Sequence, residues 1–110
     1  MRHLRYNIKM IQKLNPSAKI YGILPISRFD ANGMNRDNMS DMYGYTYHDL
    51  RAAEARLYKS MGAKVVNFQQ IAPNIITNSN KDVTLKDHEI HPTAQTAQKL
   101  GYALAKSIVK

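Results

Sequence analysis

Residues 19–26 read Lys-Ile-Tyr-Gly-Ile-Leu-Pro-Ile, a run that is apolar on both faces. Such a run suits a short strand covered by helices on either side, because a strand with one wet face would alternate apolar and polar residues. Upstream, Leu4, Ile8, Ile11 and Leu14 recur at spacings of four, three and three, while Arg2, Arg5, Lys9 and Lys13 line a different face. That spacing predicts an amphipathic helix over residues 2–14. It ends at Asn15-Pro16, since the residue before a proline is driven out of helical geometry. Downstream, residues 27–44 form a long polar connection rich in Asn, Asp, Gly and Met. Thr46 followed three residues later by Asp49 has the form of a capping box, in which each side chain reaches a backbone N–H that the first helical turn leaves unpaired. Leu50, Ala53, Leu57 and Met61 continue as a helical stripe, and Gly62 can end that helix in a left-handed conformation. Residues 63–68, with Val65 and Val66 at their centre, predict a second buried strand, and residues 69–92 are mostly loop. Residues 93–109 predict a last helix whose inner face would be Ala94, Ala97, Leu100, Gly101, Leu104, Ala105 and Ile108, with Lys99 and Lys106 outside.

The order is α-β-α-β-α. A strand, a crossover helix and a second strand make a right-handed parallel unit, so the chain belongs to the α/β class. Two parallel strands leave their edges bare and much apolar surface uncovered. The expectation is therefore either a sheet completed by another copy of the chain or the carboxyl-terminal half of a larger fold.

The 110 residues suit one domain, and no repeat, low-complexity tract or linker divides them. The apolar share of 44% against a charged share of 22% is a globular balance rather than a disordered one. No apolar run approaches the ~18–20 residues of a membrane span, and no charged-then-apolar leader is visible. With no cysteine there is no disulfide framework, thiolate nucleophile or thiolate-bound zinc, and nothing to fix the compartment. Sixteen Lys and Arg against eight Asp and Glu give a net charge of +8. Six of the basic residues fall within residues 1–28, which hold no acid. A basic quarter of this kind can meet nucleic acid or anionic lipid. It is equally accounted for by the solvated face of the first helix.

In an open α/β sheet, ligands gather at the carboxyl ends of the strands, here residues 25–45 and 69–92. The second stretch closes in Leu85-Lys86-Asp87-His88-Glu89-Ile90-His91-Pro92-Thr93, the densest ionisable cluster in the chain. Pro92 suits the first position of a helix, which leaves His91 at a loop-to-helix junction with its imidazole free to face the strand ends. A histidine so placed, with a carboxylate to fix its tautomer, can serve as the base of a nucleophile–His–Asp relay. It can equally be a surface or capping residue. Asp87, His88, Glu89 and His91 could also be read as metal ligands, although consecutive loop side chains rarely converge on one ion. Met42, Tyr43, Tyr45 and Tyr47 could wall an acyl or sugar pocket or pack at a helix entrance. Ser27-Arg28, at the end of the first strand, could touch an anionic substrate group or simply be solvated.

From Asn15-Pro16-Ser17-Ala18-Lys19-Ile20 to the closing Asp-x-x-x-His-Pro-Thr and its helix, the chain resembles the carboxyl half of an SGNH/GDSL-type hydrolase. The most specific piece is His91-Pro92-Thr93 followed by Ala94-Gln95-Thr96-Ala97-Gln98-Lys99-Leu100-Gly101. The resemblance implies a three-layer α/β/α flavodoxin-like fold, of which the chain holds the carboxyl-terminal α-β-α-β-α portion with a short parallel sheet. It also implies esterase, lipase or acylhydrolase activity on a small-molecule ester, with His91 as catalytic base and Asp87 as its orienting acid. Two departures accompany it. The family's usual Asp-x-x-His spacing would put the acid at position 88, which is His88, so Asp87 reaches His91 only if one extra residue bulges; a backbone carbonyl could orient His91 instead. Nor does Ser17, Ser27, Ser40, Ser60, Ser79 or Ser107 stand in a Gly-Asp-Ser context. Gly33-Met34-Asn35-Arg36-Asp37 is only faintly like the family's Gly-x-Asn-Asp motif, follows the wrong strand, and reads as a loop.

The expectation is a serine ester hydrolase represented by the part that carries the histidine, inactive alone, needing no metal or organic cofactor. Its partners would be a homo-oligomeric copy or the missing amino-terminal half, with no membrane span. The competing class is a non-catalytic small basic α/β module that self-associates or binds nucleic acid. The excess charge favours it; the absence of an Arg–aromatic nucleic-acid motif counts against the nucleic-acid form.

Overall fold

A computed structural model describes residues 2–30, 32–87 and 89–109. Helix α1 (Arg2–Leu14) leads to strand β1 (Tyr21–Ile23), a 3₁₀ turn (Arg36–Asn38), helix α2 (Tyr47–Ser60) and strand β2 (Lys64–Val66). Two one-turn helices, α3 (Phe68–Ile71) and α4 (Lys81–Thr84), precede the terminal helix α5 (Ala94–Val109). The strands pair in parallel with Gly22 opposite Val65. The pairing extends by one hydrogen bond at each end, from Lys64 N–H to the Ile20 carbonyl and from Leu24 N–H to the Val66 carbonyl, both 2.9 Å. The chain is thus mixed α/β, mostly helical, with a two-stranded parallel sheet among the described residues.

Both halves of the Thr46 capping box form: the Asp49 amide donates to Thr46 Oγ1 at 3.2 Å and the Thr46 amide to Asp49 Oδ2 at 2.8 Å. Gly62, at φ +77°, turns the chain from α2 into β2, a conformation that would strain any side chain. Helix α2 then lies across both strands. A Cβ at Gly22 would overlap the Tyr58 ring, so the absence of a side chain there lets helix and strand approach.

The strands are shorter than residues 19–26 and 63–68. β2 ends where Asn67 caps α3, its side chain accepting from the Gln69 amide at 3.0 Å, and beyond β1 the Pro25 carbonyl accepts from Arg51 Nε at 2.8 Å. Nor is β1 covered on both faces: Gly22 and Leu24 are buried, whereas Ile23, which points the other way, is 45% exposed. Helix α5 is also rotated from the expected face. Of that face Leu100 is buried and Leu104 half-buried, as expected, but Thr96 is buried with them while Ala94, Ala97, Gly101, Ala105 and Ile108 stand exposed. The rotation is fixed at the helix start, where Thr93 Oγ1 accepts from the Thr96 amide at 3.2 Å and lies 2.9 Å from Thr96 Oγ1. The core gathers Ile8, Leu24, Phe29, Leu57, Val66, Leu85 and Leu100, with Phe29 and Leu85 fully enclosed. Both of those come from the connections beyond the strands, so the loops at the carboxyl ends of the sheet are themselves pinned by core side chains.

Candidate functional site

The segment before α5 is a tight closed loop. Leu85 and Pro92 form an antiparallel bridge across its neck, and the Lys86 amide donates to the His91 carbonyl at 2.6 Å. Leu85 anchors the near side in the core. Asp87 fills the loop's interior. Its Oδ1 accepts from the amides of Glu89, Ile90 and His91 at 3.0, 2.9 and 3.1 Å, which absorbs the residue by which this loop exceeds the Asp-x-x-His spacing. Its Oδ2 lies 2.5 Å from His91 Nδ1. The structure therefore brings Asp87 and His91 together, and it is the carboxylate rather than a backbone carbonyl that meets the ring.

The chemistry of the pair follows from the carboxylate. The His91 imidazole, followed by the His91 amide, holds the Asp87 carboxyl well below the usual carboxylate range; the Glu89 and Ile90 amides add to this against the opposing effect of burial. An ionised carboxylate can only accept, so Nδ1 carries the proton of that contact. In the neutral ring Nε2 is then left with its lone pair, the tautomer a general base requires. Nε2 has no partner among the described residues, and the imidazole is 67% exposed. The Phe29 amide donates to the Glu89 carbonyl at 3.0 Å, which ties this loop to the segment leaving β1 and places it at the carboxyl end of the sheet.

None of the serines bonds to His91 among the described residues. Ser27, at the end of β1, donates to Asp37 Oδ2 at 3.1 Å and accepts from Gln69 Nε2 at 3.0 Å, so its hydroxyl is committed to a buried network. Arg51 completes that network. Its Nη2 donates to Asp37 Oδ1 at 2.8 Å with both side chains almost wholly buried, and its guanidinium lies 4.9 Å from the Tyr47 ring centre. Arg51 Nη1 is buried without a partner. The Gly33–Asp37 stretch is a loop up to Asn35, as its sequence suggests, and then enters the 3₁₀ turn, whose Asp37 locks the post-β1 connection to α2 and α3. Nothing in a single sequence pairs Arg51 with an aspartate fourteen residues upstream.

Of the aromatic group at the α2 entrance, Tyr45 and Tyr47 line a cavity, while Met42 and Tyr43 are exposed and lie outside it. Neither Asp87 nor His91 lines that cavity. Among the described residues no group of three or more acidic or histidine side chains forms a metal site. His88, which belongs to the metal alternative and stands at the family's usual acid position, lies outside the described residues. Among the described residues no helix is long and apolar enough to cross a membrane. Compared with family models, curated proteins and solved structures, the chain matches none of them.

Proposed function

We propose that the chain is the histidine-bearing carboxyl-terminal part of an SGNH/GDSL-type serine ester hydrolase, completing a three-layer α/β/α flavodoxin-like fold. The observation that carries this reading is the Asp87–His91 pair: an ionised acid on Nδ1, an open Nε2, and a closed loop that holds both against the carboxyl end of a parallel sheet. A serine from a segment outside these 110 residues attacks the ester carbonyl while His91 Nε2 takes its proton. The tetrahedral intermediate then collapses, Nε2–H protonates the departing alkoxide, and water repeats the sequence on the acyl-enzyme. Asp87 stays ionised throughout and stabilises the imidazolium. The chemistry balances with the ester and water alone.

The test is labelling of the complete protein by a serine-directed phosphonate, alongside turnover of a small activated ester. The complete protein labels at one serine. His91→Ala lowers kcat by about 10⁴ or more, because attack and leaving-group protonation fail together, and Asp87→Asn costs less. The 110-residue chain by itself neither labels nor turns over ester above a His91→Ala control. Near-normal turnover in His91→Ala, or a labelled serine within residues 1–110, overturns the proposal.

A further inference from the structure

Between α2 and the connection that leaves β1 lies a cavity of about 820 Å³ whose wall carries three arginines, Arg28, Arg36 and Arg56. The volume is within the ~300–1,000 Å³ range of small-molecule sites. Each arginine is set by ordered backbone. Arg28 and Arg36 face one another across a hairpin-like turn, with the Arg36 amide donating to the Arg28 carbonyl at 2.8 Å and Phe29 bridged to Asn35. Phe29 is fully buried, which fixes that turn to the core. Arg56 lies on the α2 stripe that also presents Asp49, Ala52 and Ala53, spacings that share one helix face. The two alanines leave open the room that longer side chains would fill.

The guanidinium groups are not paired within the fold, and three arginines against two carboxylates leave the wall net positive. No ion pair or side-chain hydrogen bond engages Arg28, Arg36 or Arg56 among the described residues. Two carboxylates also line the cavity, and both are bound to backbone. Asp41 Oδ1 accepts from the amides of Tyr43 and Tyr45 at 2.8 and 3.0 Å, and Asp49 Oδ2 accepts from the Thr46 amide at 2.8 Å. Three guanidinium forks exceed what the two oxygens of one carboxylate can use and suit the three terminal oxygens of a phosphoryl group. Beside them Tyr45, Leu50 and Met39 supply an apolar wall.

We propose that this cavity binds a small organic phosphate, its phosphoryl oxygens held by Arg28, Arg36 and Arg56 and its apolar body lying against Tyr45, Leu50 and Met39. The site is independent of the hydrolase reading, since binding requires neither His91 nor turnover.

Phenyl phosphate titrated into the full chain at low salt, followed by amide NMR, tests it, with phenol and inorganic phosphate as the two halves of the probe. Shifts are expected at Arg28, Arg36, Tyr45, Ala53 and Arg56, with phenyl phosphate binding more tightly than either half. Arg28→Gln and Arg56→Gln, at exposed positions, each weaken binding by about tenfold, and Arg36→Lys weakens it less than Arg36→Gln because charge survives while the fork is lost. Lys19→Gln and Lys99→Gln leave it unchanged. Equal weakening by the lysine variants, shifts centred on α5, or binding to anionic vesicles or a DNA duplex without binding of phenyl phosphate overturns the proposal.

Discussion

Asp87 accepts four hydrogen bonds from its own loop, three of them from consecutive amides and one from the ring of His91. All four favour the ionised form, so its folded pKa is lowered. The sign of the pH dependence follows. The loop's stabilisation by Asp87 is complete above the unfolded value of about 3.9 and is lost as pH falls from there through the lower folded value. Carboxyl ¹³C titration should show Asp87 still ionised below the ordinary aspartate value of about 3.9, and His91→Ala should move its titration back up. Exchange protection of the Glu89, Ile90 and His91 amides should persist to pH 4 and fail in stronger acid. An Asp87 that titrates at the ordinary aspartate value of about 3.9 would show that the loop does not hold this geometry in solution. The residues of this pair were legible in the sequence, through the His-Pro-Thr junction and the nearby acids. Their contact was not, because spacing alone leaves open whether a five-residue span bulges outward or folds its amides onto the carboxylate.

At the level of elements, periodicity sets what can be read. Helices α1, α2 and α5 run for 13, 14 and 16 residues, long enough for a 3.6-residue repeat to show, and their positions follow from it. Helices α3 and α4 have four residues each, too few for any period, and they lie in a stretch that reads as loop, except for Phe68, which reads as the end of the second strand. The α5 face departs from its apolar periodicity for a physical reason: alanine and glycine carry little apolar area, so the buried Thr96 and its hydroxyl contact with Thr93 outweigh them in orienting the helix. The tie between elements that no pattern announces is Arg51–Asp37. It joins α2 to the 3₁₀ turn, and through Ser27 and Gln69 to β1 and α3. Removing one partner strands the other charge in the interior, so Asp37→Ala or Arg51→Ala should cost about 3 kcal/mol in denaturant unfolding. The paired replacement Asp37→Leu with Arg51→Met, which leaves no buried charge, should recover most of that loss. A single-variant loss within about 0.5 kcal/mol would mean that the pair is solvated like a surface bridge.

For the whole molecule the dimensions matter most. A folded chain of 12.5 kDa exposes roughly 6,200 Å². This one exposes 7788 Å². Its radius of gyration is 15.3 Å where about 13 Å is usual for this length, and it measures only 20 Å across its thinnest direction. The excess, about 1,600 Å² on one chain, is about twice the ~800 Å² that each partner buries in a standard protein–protein interface and is in the range of obligate pairs. Its apolar part lies where the sequence pattern asked for cover: Ile23 on the open face of β1, Ile11 and Leu14 on α1, and the Ala97–Gly101–Ala105 face of α5. The edge of β1 points the same way. Pairing with β2 uses Ile20, Gly22 and Leu24, so Tyr21 and Ile23 turn their N–H and C=O groups to the other side, where among the described residues no strand receives them. A bare edge beside apolar surface pairs with another chain. A second copy can do so about a twofold axis, and the net charge of +8 opposes growth beyond a closed pair. Light scattering at micromolar concentration should therefore give a dimer, and Ile23→Lys, which puts a charge on that strand without touching the core, should shift it toward monomer. A monodisperse monomer with a cooperative melt would mean that the chain covers the β1 edge by itself, and the half-sheet reading would fall with it.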